Sequence, residues 1–75
     1  MNKARRKWLA DVYAAIENAK DELEQIRDEE QDAYDNMPES LQDTERANTL
    51  YENVDLMDSL ISDLEDTLGY FDDIQ

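Results

Sequence analysis

The feature that most constrains this chain is a pair of seven-residue apolar repeats lying on either side of its only proline, Pro38. Before it, Leu9, Val12, Ile16, Ala19, Leu23, Ile26, Ala33 and Met37 fall in alternating steps of three and four, with Glu30 in the one vacant slot. After it, Ala47, Leu50, Val54, Met57, Ile61, Leu64, Leu68 and Phe71 repeat the pattern. Such spacing puts every member on one stripe of a helix and is the seam of a coiled coil. No period-two alternation is sustained, so strands are excluded. The two repeats mirror each other. Leu9 pairs with Phe71, Val12 with Leu68, Ile16 with Leu64, Ala19 with Ile61, Leu23 with Met57, Ile26 with Val54, Glu30 with Leu50 and Ala33 with Ala47, each pair of positions summing to 80.

The expected fold is therefore all-α: an antiparallel two-helix coiled-coil hairpin forming a single domain over residues 1–75. Helix one is expected over about 4–35, the turn over 36–43 and helix two over about 44–72. Pro38 disfavours helical geometry at Met37 and can itself open a new turn, so one tight helical turn is expected at Pro38–Gln42. Asp43 or Thr44 is expected to cap helix two. Gly69 is a poor helix residue and is expected to fray or end it. On the flanks of the seam, Lys20 and Arg27 of helix one face Asp58 and Glu65 of helix two, where they can bridge the helices and set their register. The basic start is expected beside Asp72 and Asp73 at the open end, where cations favour the helix dipole. Glu30 is expected to reach solvent near the thin turn end.

Charge narrows the functional classes. Twenty-one acids against seven bases give −14, and four of the bases (Lys3, Arg5, Arg6, Lys7) precede Trp8. From Trp8 onward three bases meet all twenty-one acids, a body of −18. It repels nucleic acid and anionic membranes and is drawn to basic protein surfaces; high negative charge also keeps small proteins soluble. The absence of cysteine excludes disulfides and thiolate metal sites, and with no histidine most nucleophile–base pairs and zinc sites go too. No apolar run is long enough to span a membrane and no signal-peptide pattern follows the basic start, so the cytoplasm of a host cell is the expected location. The acids Asp28–Asp32 and Glu52-x-x-Asp55 loosely resemble the magnesium-binding helices of all-α nucleotide pyrophosphohydrolases. Such spacings arise by chance in so acidic a chain, and no enzyme activity, cofactor or metal site is expected.

The central text, Asp35-Asn36-Met37-Pro38-Glu39-Ser40-Leu41-Gln42-Asp43-Thr44-Glu45-Arg46, is similar to the turn of a group of short acidic helical-hairpin proteins of bacteria, phages and mobile elements. They share Asp-Asn-x-Pro-Glu-Ser-Leu-Gln-x-Ser/Thr-Glu-Arg between two acidic helices. The likeness covers the turn well and the helices only in pattern, and Ala47 stands where many of the group carry Gly. The group implies no established activity; a phage-type origin implies, by analogy, a small inhibitor of host defence, anti-CRISPR-like in character.

Two functions of different class follow. In the first, the chain is a nucleic-acid mimic that blocks a basic surface of a host nucleic-acid-binding defence protein. Its partner-binding acids would be Asp11, Glu17, Asp21, Glu24, Asp28, Asp32 and Asp35 on helix one, and Glu52, Asp55, Asp63, Asp66 and Asp73 on helix two. The turn residues Asn36, Met37, Glu39, Ser40 and Gln42 would form a contact tip. In the second, it is an assembly module without inhibitory activity. There the off-seam flank of Trp8, Ala15, Leu60 and Ile74 packs on a second copy, making a four-helix bundle, or on a partner protein.

Overall fold

The computed structural model describes all 75 residues and is a helical hairpin. α1 runs Lys3–Asp35 and α2 runs Glu45–Tyr70. A single 3-10 turn, Glu39–Leu41, lies between them, and another, Phe71–Asp73, follows α2. The Cα envelope measures 60 × 16 × 13 Å. The molecule is thus a rod two helices wide.

Local chemistry sets the boundaries. Asn2 caps α1, its side-chain oxygen accepting from the Arg5 N–H at 2.8 Å and so satisfying one of the orphan amides of the first turn. α1 ends because Pro38 cannot continue it. The last N–H groups are Asn36 to the Asp32 carbonyl at 2.9 Å and Met37 to the Tyr34 carbonyl at 3.1 Å. Pro38 sits in extended geometry (φ −57°, ψ 142°), and Leu41 N–H then bonds back to its carbonyl at 2.8 Å. The expected tight turn is present. No residue of the chain has positive φ, so the turn needs no glycine. Thr44 is the cap of α2 and accepts from the Ala47 N–H. Gly69 does not end α2; the helix runs one residue past it before tightening into the 3-10 turn.

The seam of α2 is as the repeat predicts. Ala47, Ile61 and Leu68 are buried, and Leu50, Val54, Met57, Leu64 and Phe71 are half-buried. The seam of α1 is rotated. Leu9, Ile16, Leu23, Glu30 and Met37 keep their place, but Val12, Ala19, Ile26 and Ala33 are exposed. Tyr13, Lys20, Arg27 and Tyr34, one residue further along in each heptad, are half-buried in their stead. Each of the four reaches α2 or the turn that follows it. Tyr13 meets Phe71 edge-on (centroids 5.3 Å, planes at 79°), and Tyr34 meets Tyr51 (6.0 Å, 55°). Lys20 pairs with Glu65 at 3.8 Å and Arg27 with Asp58 at 3.1 Å. Long side chains with partners across the groove turn α1 toward that side, whereas alanine is too short to hold it on the other.

The predicted register survives the rotation. Flanking pairs of a seam whose positions sum to 80 fall five higher, and Lys20–Glu65, Arg27–Asp58 and Tyr34–Tyr51 all do so.

Candidate protein-interaction surfaces

The rotation of α1 gives the ribbon two unlike broad sides. One is closed by the Tyr13, Lys20, Arg27 and Tyr34 pairs. Arg27 is its most connected cation: Nη1 donates to Asp58 at 3.1 Å while Nε and Nη2 donate to Asp28 at 3.2 and 3.1 Å. These bonds, to Asp28 first and then Asp58, hold the guanidinium pKa above the ordinary arginine value. Lys20 lies 3.6 Å from Glu24 as well as reaching Glu65. At the turn end of the seam Glu30 is half-buried but reaches the surface, where it accepts from the Asn53 amide at 3.3 Å. The only other ion pair is Lys7–Asp11 at 3.8 Å. The basic start lies beside the end of α2 as expected, Arg6 lining one groove with Phe71, Asp72 and Ile74; it makes no ion pair there, and Arg6 Nε donates to the Met1 carbonyl at 3.3 Å.

The expected acidic face is divided among several directions. By helical angle, Asp21, Asp28 and Asp35 run along the outer edge of α1, with steps of about 10.5 Å. Glu52, Asp66 and Asp73 run along the opposite outer edge, that of α2. Glu17, Glu24 and Asp55 fall on the closed broad side, with Asp58 and Glu65. Asp11, Asp32 and Asp63 lean toward the other side. Of the twenty-one carboxylate side chains, only Asp11, Glu24, Asp28, Asp58 and Glu65 have a cation within 4.0 Å, which leaves sixteen without one. No three acids converge closely enough to hold a metal ion.

The second broad side is open and apolar. It carries the expected Trp8, Ala15, Leu60 and Ile74, all exposed. It also carries Val12 and Ile26, which the sequence assigns to the seam, and Leu56, which belongs to neither set. Trp8 is 70% exposed, Leu56 65%, Leu60 and Ile26 50% each. Two shallow grooves run along this side, one under Trp8, Leu9 and Val12, the other between Ile26, Leu56 and Met57 with Glu30 and Asn53. The i, i+4 spacing of Leu56 and Leu60 is the signal in the sequence that marks α2 as apolar on this flank as well as at its seam.

The turn separates into scaffold and surface. Gln42 is half-buried and its amide donates to the Met37 carbonyl at 3.3 Å; Met37 is half-buried above it. Asn36, Glu39 and Ser40 are exposed, with Leu41. Two of the five expected contact residues thus hold the turn together, and three present themselves at the tip.

No helix is long and apolar enough to cross a membrane. Compared with protein-family models, with curated proteins and with solved structures, the chain matches none.

Proposed function

We propose that this chain is a non-enzymatic acidic protein that binds a basic, nucleic-acid-binding surface of another protein and blocks it by presenting carboxylates in place of phosphates. The observation that carries this reading is the set of sixteen carboxylates with no cation near them on a narrow rod. A net −14 over 60 Å is one charge per about 4 Å, close to the ~3.4 Å per phosphate along one strand of a duplex. Small proteins gain solubility from far fewer charges, a net magnitude of about 2–8. The turn's similarity to proteins of phages and mobile elements supports a host defence protein as the target, in the cytoplasm where such proteins act. The exposed tip residues Asn36, Glu39 and Ser40 would add the contacts that distinguish one basic partner from another.

The test is capture of the partner from a bacterial lysate, followed by competition between this chain and DNA or RNA for the purified partner. Binding should weaken steeply between about 0.1 and 0.5 M salt, and should be lost on charge reversal at Asp21, Asp28 and Asp55. Binding that persists in molar salt and is lost on Leu60→Asp refutes it. That outcome would favour the second reading, an assembly module without inhibitory activity, which the open apolar side supports.

A further inference from the structure

The open side carries a second inference, independent of the acidic reading. A compact protein of 8.8 kDa exposes about 4,800 Å², whereas this hairpin exposes 5938 Å² and buries only Ala47, Ile61 and Leu68. The excess of roughly 1,100 Å² exceeds the ~800 Å² that each partner of a standard stable interface covers. Part of it is the open side, where Trp8, Val12, Ile26, Leu56, Leu60 and Ile74 are all exposed. We infer that two copies pack antiparallel through this flank into a four-helix bundle with a two-fold axis at Ala19.

The argument for a second copy is self-complementarity. A two-fold interface sets the same patch against itself in reverse order. The exposed stripe of α1 reads Arg5, Val12, Ala19, Ile26, Ala33 and is centred on Ala19. Reversed on a second copy, Ala19 meets Ala19, Val12 meets Ile26 and Arg5 meets Ala33. Alanine at the centre lets the helices approach closely. The neighbouring stripe follows the same reversal: Trp8 falls beside Glu29 of the second copy and Ala15 beside its Glu22. In the hairpin register Leu60 lies level with residue 20 of α1, so the two Leu60 side chains flank the axis, the place where interface energy concentrates.

Charge fixes the direction. The titratable groups facing this flank are Arg5, Asp11, Glu22, Glu29, Asp32, Arg46 and Asp63. All four bases of the Lys3–Lys7 segment sit at the open end of the rod. The turn half, residues 24–56, holds eleven acids and only Arg27 and Arg46. Antiparallel packing lays each basic segment along the acidic half of the other copy, with Arg5 one helical turn from Glu29. Parallel packing would place like charges together. The acids of the outer edges and of the closed side remain uncovered, so a dimer could serve either function.

Sedimentation equilibrium on the whole chain should give twice 8.8 kDa at tens of micromolar. Leu60 is half exposed in the single hairpin, so Leu60→Asp should leave it helical by circular dichroism. It should raise the dimer dissociation constant at least about thirtyfold. Orientation is read from disulfides, since the chain has no cysteine of its own. An oxidised mixture of Val12→Cys and Ile26→Cys chains should yield mainly the mixed dimer. A monomer at 8.8 kDa up to several hundred micromolar overturns the inference, as does a dimer indifferent to Leu60→Asp. Like-with-like disulfides overturn the antiparallel arrangement.

Discussion

Thr44 stands at the joint between turn and helix and satisfies both. Its hydroxyl donates to the Leu41 carbonyl at 2.6 Å and accepts from the Ala47 N–H at 3.3 Å. Ala47 directly below is fully buried, so the cap is fixed against the tightest-packed point of the molecule. Thr44→Ala should cost about 1 kcal/mol, lowering the thermal midpoint by about 4–8 °C for a domain of this size; Thr44→Ser should restore most of it. Equal midpoints for wild type and Thr44→Ala would remove Thr44 from the account of the turn. Gly69 gives a prediction of opposite sign. It lies inside α2 with ordinary helical geometry, and a β-carbon there would have nothing within 4 Å. Gly69→Ala should stabilise the chain by about 0.5–1 kcal/mol, because glycine loses more backbone entropy on becoming helical. A drop in thermal midpoint would mean that the end of α2 depends on a conformation alanine resists.

At the scale of the helices, the two are unequal partners. α2 contributes every buried residue and α1 contributes none. α1 instead lays half-buried long side chains over α2, and is held by the reach of Tyr13, Lys20, Arg27 and Tyr34. Substitutions should therefore differ sharply by helix. Ile61→Ala removes one of only three buried side chains, and a cost of about 2–5 kcal/mol should leave little folded hairpin by circular dichroism at room temperature. Ile26→Ala, at an exposed position, should leave a dilute sample helical and act only on whatever covers the open side. Comparable losses for both at low concentration would mean that α1 turns its other stripe inward in solution.

Across the whole molecule charge dominates. A rod of −14 with sixteen carboxylates lacking a nearby cation repels itself, and added salt screens that repulsion. Raising sodium chloride from about 0.02 to 0.5 M should raise the thermal midpoint. A fall would show that the Lys20–Glu65 and Arg27–Asp58 bridges outweigh the repulsion. The same salt series should weaken capture of a basic partner while leaving an apolar dimer interface largely intact, so the two surfaces can be tested in one experiment.

Much of this was decided by the sequence alone. The heptad spacing specified two helices, and Pro38 with its capping neighbours specified where they part. The mirrored repeats specified the register, which Lys20–Glu65 and Arg27–Asp58 bear out. The placing of α2's seam was equally legible, because its apolar series from Ala47 to Phe71 is unbroken, whereas Leu56 and Leu60 make only a short flank beside it. For α1 the sequence left two stripes in competition: Val12, Ala19, Ile26 and Ala33 on one side of Leu9 and Ile16, and Tyr13, Lys20, Arg27 and Tyr34 on the other. Apolar character favours the first, and the tertiary structure took the second. The two helices close the flank where long side chains find aromatic and acidic partners across the groove. That choice leaves Val12 and Ile26 in the open beside Trp8 and Leu60, and so creates the apolar side on which the proposed dimer rests.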